Sequence, residues 1–173
     1  LPVMGATAAA EDDAAMRCGG CAAKIGPATL QGALDRLDAT SSTASSPAPR
    51  DDAAVIDDGG DTLRLETVDF FRAFWPEPFV LGEIAAEHAL SDIYAMGGKP
   101  ERAQAIAVLP YAGPRLAQDD LVQLMSGVRQ AFERAGVAIV GGHSSEGPEL
   151  GVGFSVAGSV QRARILRKSG LKP

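Results

Sequence analysis

Apolar residues fall at helical spacing in three stretches of the chain and in short runs or alternation in five others. The stretch "PATLQGALDRL" sets Leu30, Leu34 and Leu37 on one helix face, with Pro27 in a first turn that tolerates it. Val80–Met96 predicts a second helix with Leu81, Ile84, Ala85, Ala89 and Ile93 inward, ended by Gly97, Gly98 and Pro100. Gln118–Ala135 predicts a third along Leu121, Leu124, Met125, Val128, Ala131, Phe132 and Ala135, capped by Gly136. Two short strands, around Ala53–Ile56 and Leu63–Val68, flank the turn signal "DDGGD" and predict a hairpin. "RAQAIAVLP" predicts a buried strand stopped by Pro110, and "VAIVGGHSS" and "LGVGFSVAGSV" predict two more. Strands alternating with long helices place the chain in an α/β class, and no segment repeats.

The flanks lack this patterning. Residues 1–16 are small and acidic, and "DATSSTASSPAPR" is a Ser-, Thr- and Pro-rich loop. The expected organisation is a mobile N-terminal arm over 1–26, a domain over 27–165, and over 166–173 the start of a linker to a further domain. A first residue Leu1 and a last stretch "RKSGLKP" read as a segment of a longer chain. A hydrophobic content of 46% is enough for a real core and excludes wholesale disorder. The net charge of -6 argues against a nucleic-acid partner, but not against a nucleotide held through metal ions, which calls for carboxylates. No apolar run approaches the ~20 residues of a membrane span, no signal pattern opens the chain, and two cysteines are too few for a secreted disulfide framework. A cytoplasmic enzyme domain with no membrane partner is the expectation.

Four carboxylates carry the candidate chemistry. Asp51 and Asp52 open the first strand, Asp69 follows the second, and Asp92 lies four residues past His88 on the same helix face. Pairing across "DDGGD" would bring Asp52 and Asp69 close. Carboxylates converging on one edge repel unless a hard cation sits between them, and Mg²⁺ bridging to phosphate is the commonest reason for such a set. Solvated acidic turns are the competing reading. In "VGGHSS" glycines at a strand exit could bare N–H groups to a phosphate, although a tight exit alone would also account for them. His88 and His143 have ordinary structural readings as well.

The arm "RCGGCAAKIG" holds both cysteines, Cys18 and Cys21, and then Lys24. A redox pair normally follows a strand and opens a helix, a context missing here. A zinc site would need His88 and His143, which lie in different elements. A glycine-rich arm that folds over a nucleotide suits the pattern better, with Lys24 offsetting phosphate charge and Cys21 presented to the reacting atom.

The segments "CAAKIG", "RDDAAVI", "TVDFF", "GEIAAEHALSDIYAMGGKP" and "GVAIVGGHSSEGPELGVGFSVAGSV" together resemble the selenophosphate synthetase (selenide, water dikinase) family, in order and spacing, over about residues 17–165. The resemblance implies the N-terminal domain of the AIR synthase-like ATP-binding superfamily, a four-stranded sheet flanked by helices. Two such domains would join their sheets into a barrel, with ATP sites near the homodimer interface. It places Cys21 at the catalytic cysteine and Lys24 at the essential lysine. It sets Asp52 and Asp92 at metal-binding aspartates, with Asp92 also on the nucleotide, and Asp69 at an ATP-site aspartate. Pro49, Arg50 and Asp51 fall on the segment touching ATP, and Gly142, His143 and Ser144 on one reaching nucleotide from the partner subunit. The implied reaction converts ATP, selenide and water to selenophosphate, AMP and phosphate with Mg²⁺, with a C-terminal domain of the same enzyme completing the site. The fragment alone is expected to be inactive.

The chain departs from the family pattern in three places. The family arm reads Cys-Gly-Cys-Lys, whereas here only the spacing from Cys21 to Lys24 is kept. The family carries Asn at the position of His88, and the C-terminal domain lies outside these 173 residues. The leader and arm also resemble versions fused behind a flavin-dependent oxidoreductase. The rival readings are another superfamily enzyme (thiamine-monophosphate kinase, hydrogenase-maturation factor or AIR synthase), a thiol redox module, and a non-catalytic dimerisation domain. The first group shares the aspartates but not the Cys-x-x-Lys arm.

Overall fold

A computed structural model describes residues 24–38 and 51–170. The elements run α1 (Pro27–Asp38), β1 (Ala54–Ile56), β2 (Thr62–Arg72), α2 (Pro78–Ala95), β3 (Lys99–Pro110), α3 (Pro114–Ala135), β4 (Ala138–Gly147) and β5 (Gly151–Gln161). The strands form one mixed sheet in the order β1-β2-β5-β3-β4. Only β3 and β4 are parallel, and α3 is the crossover such a pair requires. The sheet therefore has five strands and not the four implied by the resemblance, because three-residue β1 adds to the edge by pairing Ala54 with Glu66. β2 runs four residues past its expected end, since β5 pairs with it along its whole length, from Thr62↔Gln161 to Arg72↔Gly151.

Alternation along the strands sends Leu63, Leu65 and Phe71 of β2, Ala103, Ala105 and Ala107 of β3, and Val152, Phe154 and Val156 of β5 to one buried face. Helices α2 and α3 cover that face through Leu81, Ala85, Ala89, Leu90 and Ile93, and through Leu124, Val128, Ala131 and Phe132. Phe132 meets Phe154 edge-on, with ring centroids 5.1 Å apart. The two helices touch backbone to backbone: a Cβ on Gly127 would stand 2.0 Å from the Phe79 carbonyl oxygen.

One expectation about helix faces changes. Ile84 of α2 is exposed, because the apolar stripe contacting the sheet runs instead through Ala86 and Leu90. Helix α1 forms, but Leu30, Leu34 and Leu37 remain exposed. No described element covers the sheet face away from α2 and α3, and Val68, Phe70, Ile106 and Val140 are solvent-accessible there.

The "DDGGD" turn does form the hairpin, and its first acid has a structural task. Arg162, just past β5, grips Asp57 with two guanidinium nitrogens at 2.6 Å each and also donates to the Gly60 carbonyl. That bidentate contact, helped by the Gly59 N–H, lowers the Asp57 pKa to about 2. No described helix is long and apolar enough to cross a membrane.

Candidate functional site

The hairpin places three of the candidate carboxylates at one end of the sheet, and the last turn of α2 supplies the fourth. Asp51 and Asp52 precede β1, and Asp69 lies within β2. Thr67, on the same face of β2, donates its hydroxyl to Asp92 Oδ2 at 2.7 Å, fixing that carboxylate on α2.

Asp69 is the buried charge of the site. Its side chain is only 4% exposed, and Lys24 Nζ lies 3.5 Å from Oδ1. The other oxygen, Oδ2, is buried with no hydrogen-bond partner among the described residues. A carboxylate oxygen removed from water and left unpaired is costly, and it points to a cation or donor beyond the described residues.

Asp51 and Asp52 face the end of the chain. Asp51 is equally buried, and it accepts from Arg167 Nη1 at 2.8 Å and from the Lys168 backbone N–H at 3.0 Å. The Lys168 N–H is the larger influence and, with Arg167, holds the Asp51 pKa below the usual carboxylate value against the burial that would raise it. Lys168 Nζ sits 2.6 Å from Asp52 Oδ1. That hydrogen bond, with the charges of Asp52, Asp51 and Asp92, raises the Lys168 pKa. Residues 166–168, expected to start a linker, are thus bound to the domain; the Leu166 N–H also donates to the Met96 carbonyl.

The expected site residues do not all converge within one chain. Gly142, His143 and Ser144 lie on β4, at the opposite edge of the sheet from β1. The strand does not end at "VGGHSS" but continues to Gly147, because β3 pairs with it in parallel throughout. Gly142 has a packing reason of its own, since a Cβ there would stand 2.2 Å from the Ala105 carbonyl oxygen. Beside these residues a cavity of about 240 Å³ opens below α3, walled by Leu121 and Met125. His88 shares α2 with Asp92, but its ring packs edge-on against Phe71 at 5.2 Å. Cys18, Cys21, Pro49 and Arg50 lie outside the described residues.

Sequence reasoning missed Thr67, Arg167 and Lys168. The two cations stand together in "RKSG", but no periodicity ties them to acids more than a hundred residues earlier.

Residues 50–160 match the family described as "AIR synthase related protein, N-terminal domain", a span from just before β1 to the end of β5. The chain belongs to this family. Among curated relatives of this AIR synthase-related domain is a selenide, water dikinase of Enterobacter sp. (strain 638). It is 40% identical over 157 residues, which are 89% of this chain and 45% of that protein. A selenide, water dikinase of Geobacter metallireducens is 38% identical over 161 residues, 91% of this chain and 46% of that protein. The chain therefore spans less than half the length of these relatives. Solved structures share the AIR synthase-related fold at lower identity. The structure titled "AaThiL complexed with AMPPCP and TMP" has a TM-score of 0.69 at 22% identity, covering 86% of this chain and 46% of that one. A HypE-HypF complex has a TM-score of 0.63 at 20% identity, covering 81% and 46%.

Proposed function

We propose that this chain is the ATP- and Mg²⁺-binding N-terminal part of a selenide, water dikinase, which makes selenophosphate, AMP and phosphate from ATP, selenide and water. The observation that carries this reading is Lys24 of the Cys-x-x-Lys arm paired with buried Asp69, whose second oxygen has no partner. The relatives of about 40% identity support the same assignment.

The donor set fits the metal. Mg²⁺ takes hard oxygen ligands, characteristically one or two carboxylates with substrate phosphates completing the shell. Among the described residues no group of three or more His, Cys, Asp or Glu could enclose an ion, so a site here would have that shared form. Asp52 and Asp92 are the residues to hold it, with Thr67 orienting Asp92. Bound there with ATP, the metal would neutralise triphosphate charge. Lys24 balances negative charge as the terminal phosphoryl departs, and Asp69 holds that lysine in place. Asp51, Pro49 and Arg50 border the nucleotide, and Cys21 orients the selenium species. A need for ATP makes the cytoplasm the compartment of this reading. The direct test uses the whole enzyme that contains this chain: AMP formation followed by chromatography should require selenide, and ATP cleavage indifferent to selenide would reject the assignment.

The reading also includes a homodimer. Gly142, His143 and Ser144 are a full sheet width from Asp52, so they could serve a nucleotide at that end only from a second subunit. The uncovered face bearing Val68, Phe70, Ile106 and Val140 would be buried by such pairing. Light scattering should give twice the chain mass, and Val68→Asp should shift it toward the monomer. A wild-type monomer at high concentration would remove the dimer from the reading.

A further inference from the structure

Lys168 and Arg167 are the features of the acidic end that the proposed reaction leaves unexplained. The chain leaves β5, turns through Arg162–Arg164, and returns along the loop after α2 to reach the acids. Four contacts pin it there. The Leu166 N–H donates to the Met96 carbonyl, and the Arg167 guanidinium clamps Asp51. The Lys168 N–H donates to the same carboxylate, and the Lys168 ammonium lies 2.6 Å from Asp52. Met96 closes the circuit, since its sulfur accepts from the Ala53 N–H next to Asp52. The two cations differ in kind. Arg167 serves a buried acid, whereas Lys168 is 55% exposed and serves Asp52, a partly exposed acid.

We infer that Lys168 is an internal counter-cation at Asp52, which a divalent metal displaces, so that metal entry loosens the turn Lys168–Gly170. The inference rests on the reading of Asp52 as a metal ligand. An ammonium is a single charge on a flexible stem, and an exposed ion pair of this sort is weak. A divalent ion at the same carboxylate carries twice the charge and takes the oxygen the ammonium uses. Arg167 and the Lys168 N–H remain on Asp51 during the exchange, so the strap is released beyond Lys168 and not detached as a whole.

The test uses the 173-residue chain and Mn²⁺ alone, with bound metal counted by electron paramagnetic resonance. Lys168→Met keeps the aliphatic stem and removes the charge, and it should tighten Mn²⁺ binding roughly two- to fivefold, the range an exposed pair allows. In the wild type, Mn²⁺ should speed amide hydrogen exchange at Gly170, whose N–H closes the turn onto the Arg167 carbonyl, while leaving Leu166 and Lys168, bonded to Met96 and Asp51, protected. Asp52→Asn should weaken Mn²⁺ binding in both backgrounds and erase the difference between them. If Asp52→Asn has no effect on Mn²⁺ binding, the metal reading fails and takes this inference with it. If Asp52→Asn weakens binding but Lys168→Met does not strengthen it, the metal reading stands and the displacement is wrong. Absence of Mn²⁺ binding in both wild type and Lys168→Met also overturns it.

Discussion

Asp52→Asn in the whole enzyme should cut Mg²⁺-dependent ATP turnover by roughly 10²–10³-fold, a few kcal/mol of transition-state stabilisation. The amide keeps the shape of the carboxylate but cannot balance a divalent charge. The fold should survive. Asp52 lies before β1 and is partly exposed, and its partner in the protein is the half-exposed ammonium of Lys168. Losing such a pair costs about 1 kcal/mol or less, so the melting temperature should move by only a few degrees. Turnover within threefold of wild type would take Asp52 out of the site. Loss of activity together with a large drop in melting temperature would instead mark Asp52 as a structural anchor for the tail.

The parts of this arrangement that local patterning encodes were legible in the chain. Leu81, Ala85, Ala89 and Ile93 on α2, and Leu124, Val128, Ala131 and Phe132 on α3, recur at helical spacing because each helix has one stripe to bury against the sheet. The turn at "DDGGD" and the glycine stops after α2 and α3 were legible for the same reason. Contacts between distant segments were not. Asp51 meets Arg167 across 116 positions, and neither residue lies in a periodic stretch that would tie it to the other. The glycines of "VGGHSS" suggested a strand exit, but pairing with β3 carries β4 through them to Gly147, and Gly142 answers to the backbone of Ala105. Ile84 fits the helical period of α2 yet is exposed, because period alone does not fix the width of the contact with the sheet. The four carboxylates stood out by type. What each one touches became clear only in three dimensions, and the touching groups include Lys24, Thr67 and Lys168.

Lys24→Ala and Cys21→Ser should each stop selenophosphate formation in the whole enzyme, by different routes. Lys24 is 66% exposed and paired with Asp69 at 3.5 Å, so its loss removes the cation nearest the buried acid and leaves that carboxylate unpaired, a cost a melting curve would read. Cationic groups that neutralise a transferring phosphoryl are worth roughly 10³–10⁵ in rate, and a loss near the lower end is expected, with weakened nucleotide binding alongside. Cys21 stands three residues before Lys24, and three residues span at most about 11 Å. Serine keeps roughly the size of the thiol but lacks the nucleophilicity of sulfur. Cys21→Ser should therefore lower selenophosphate output by roughly 10³-fold or more, as loss of a nucleophile does, while nucleotide affinity stays within twofold of wild type. Mg-ATP should also slow alkylation of Cys21 by iodoacetamide in the wild type. It should do so less in Lys24→Ala, where the arm has lost its hold on the phosphates. Equal alkylation rates with and without Mg-ATP, or a Cys21→Ser enzyme of normal output, would show that the arm carries none of the chemistry.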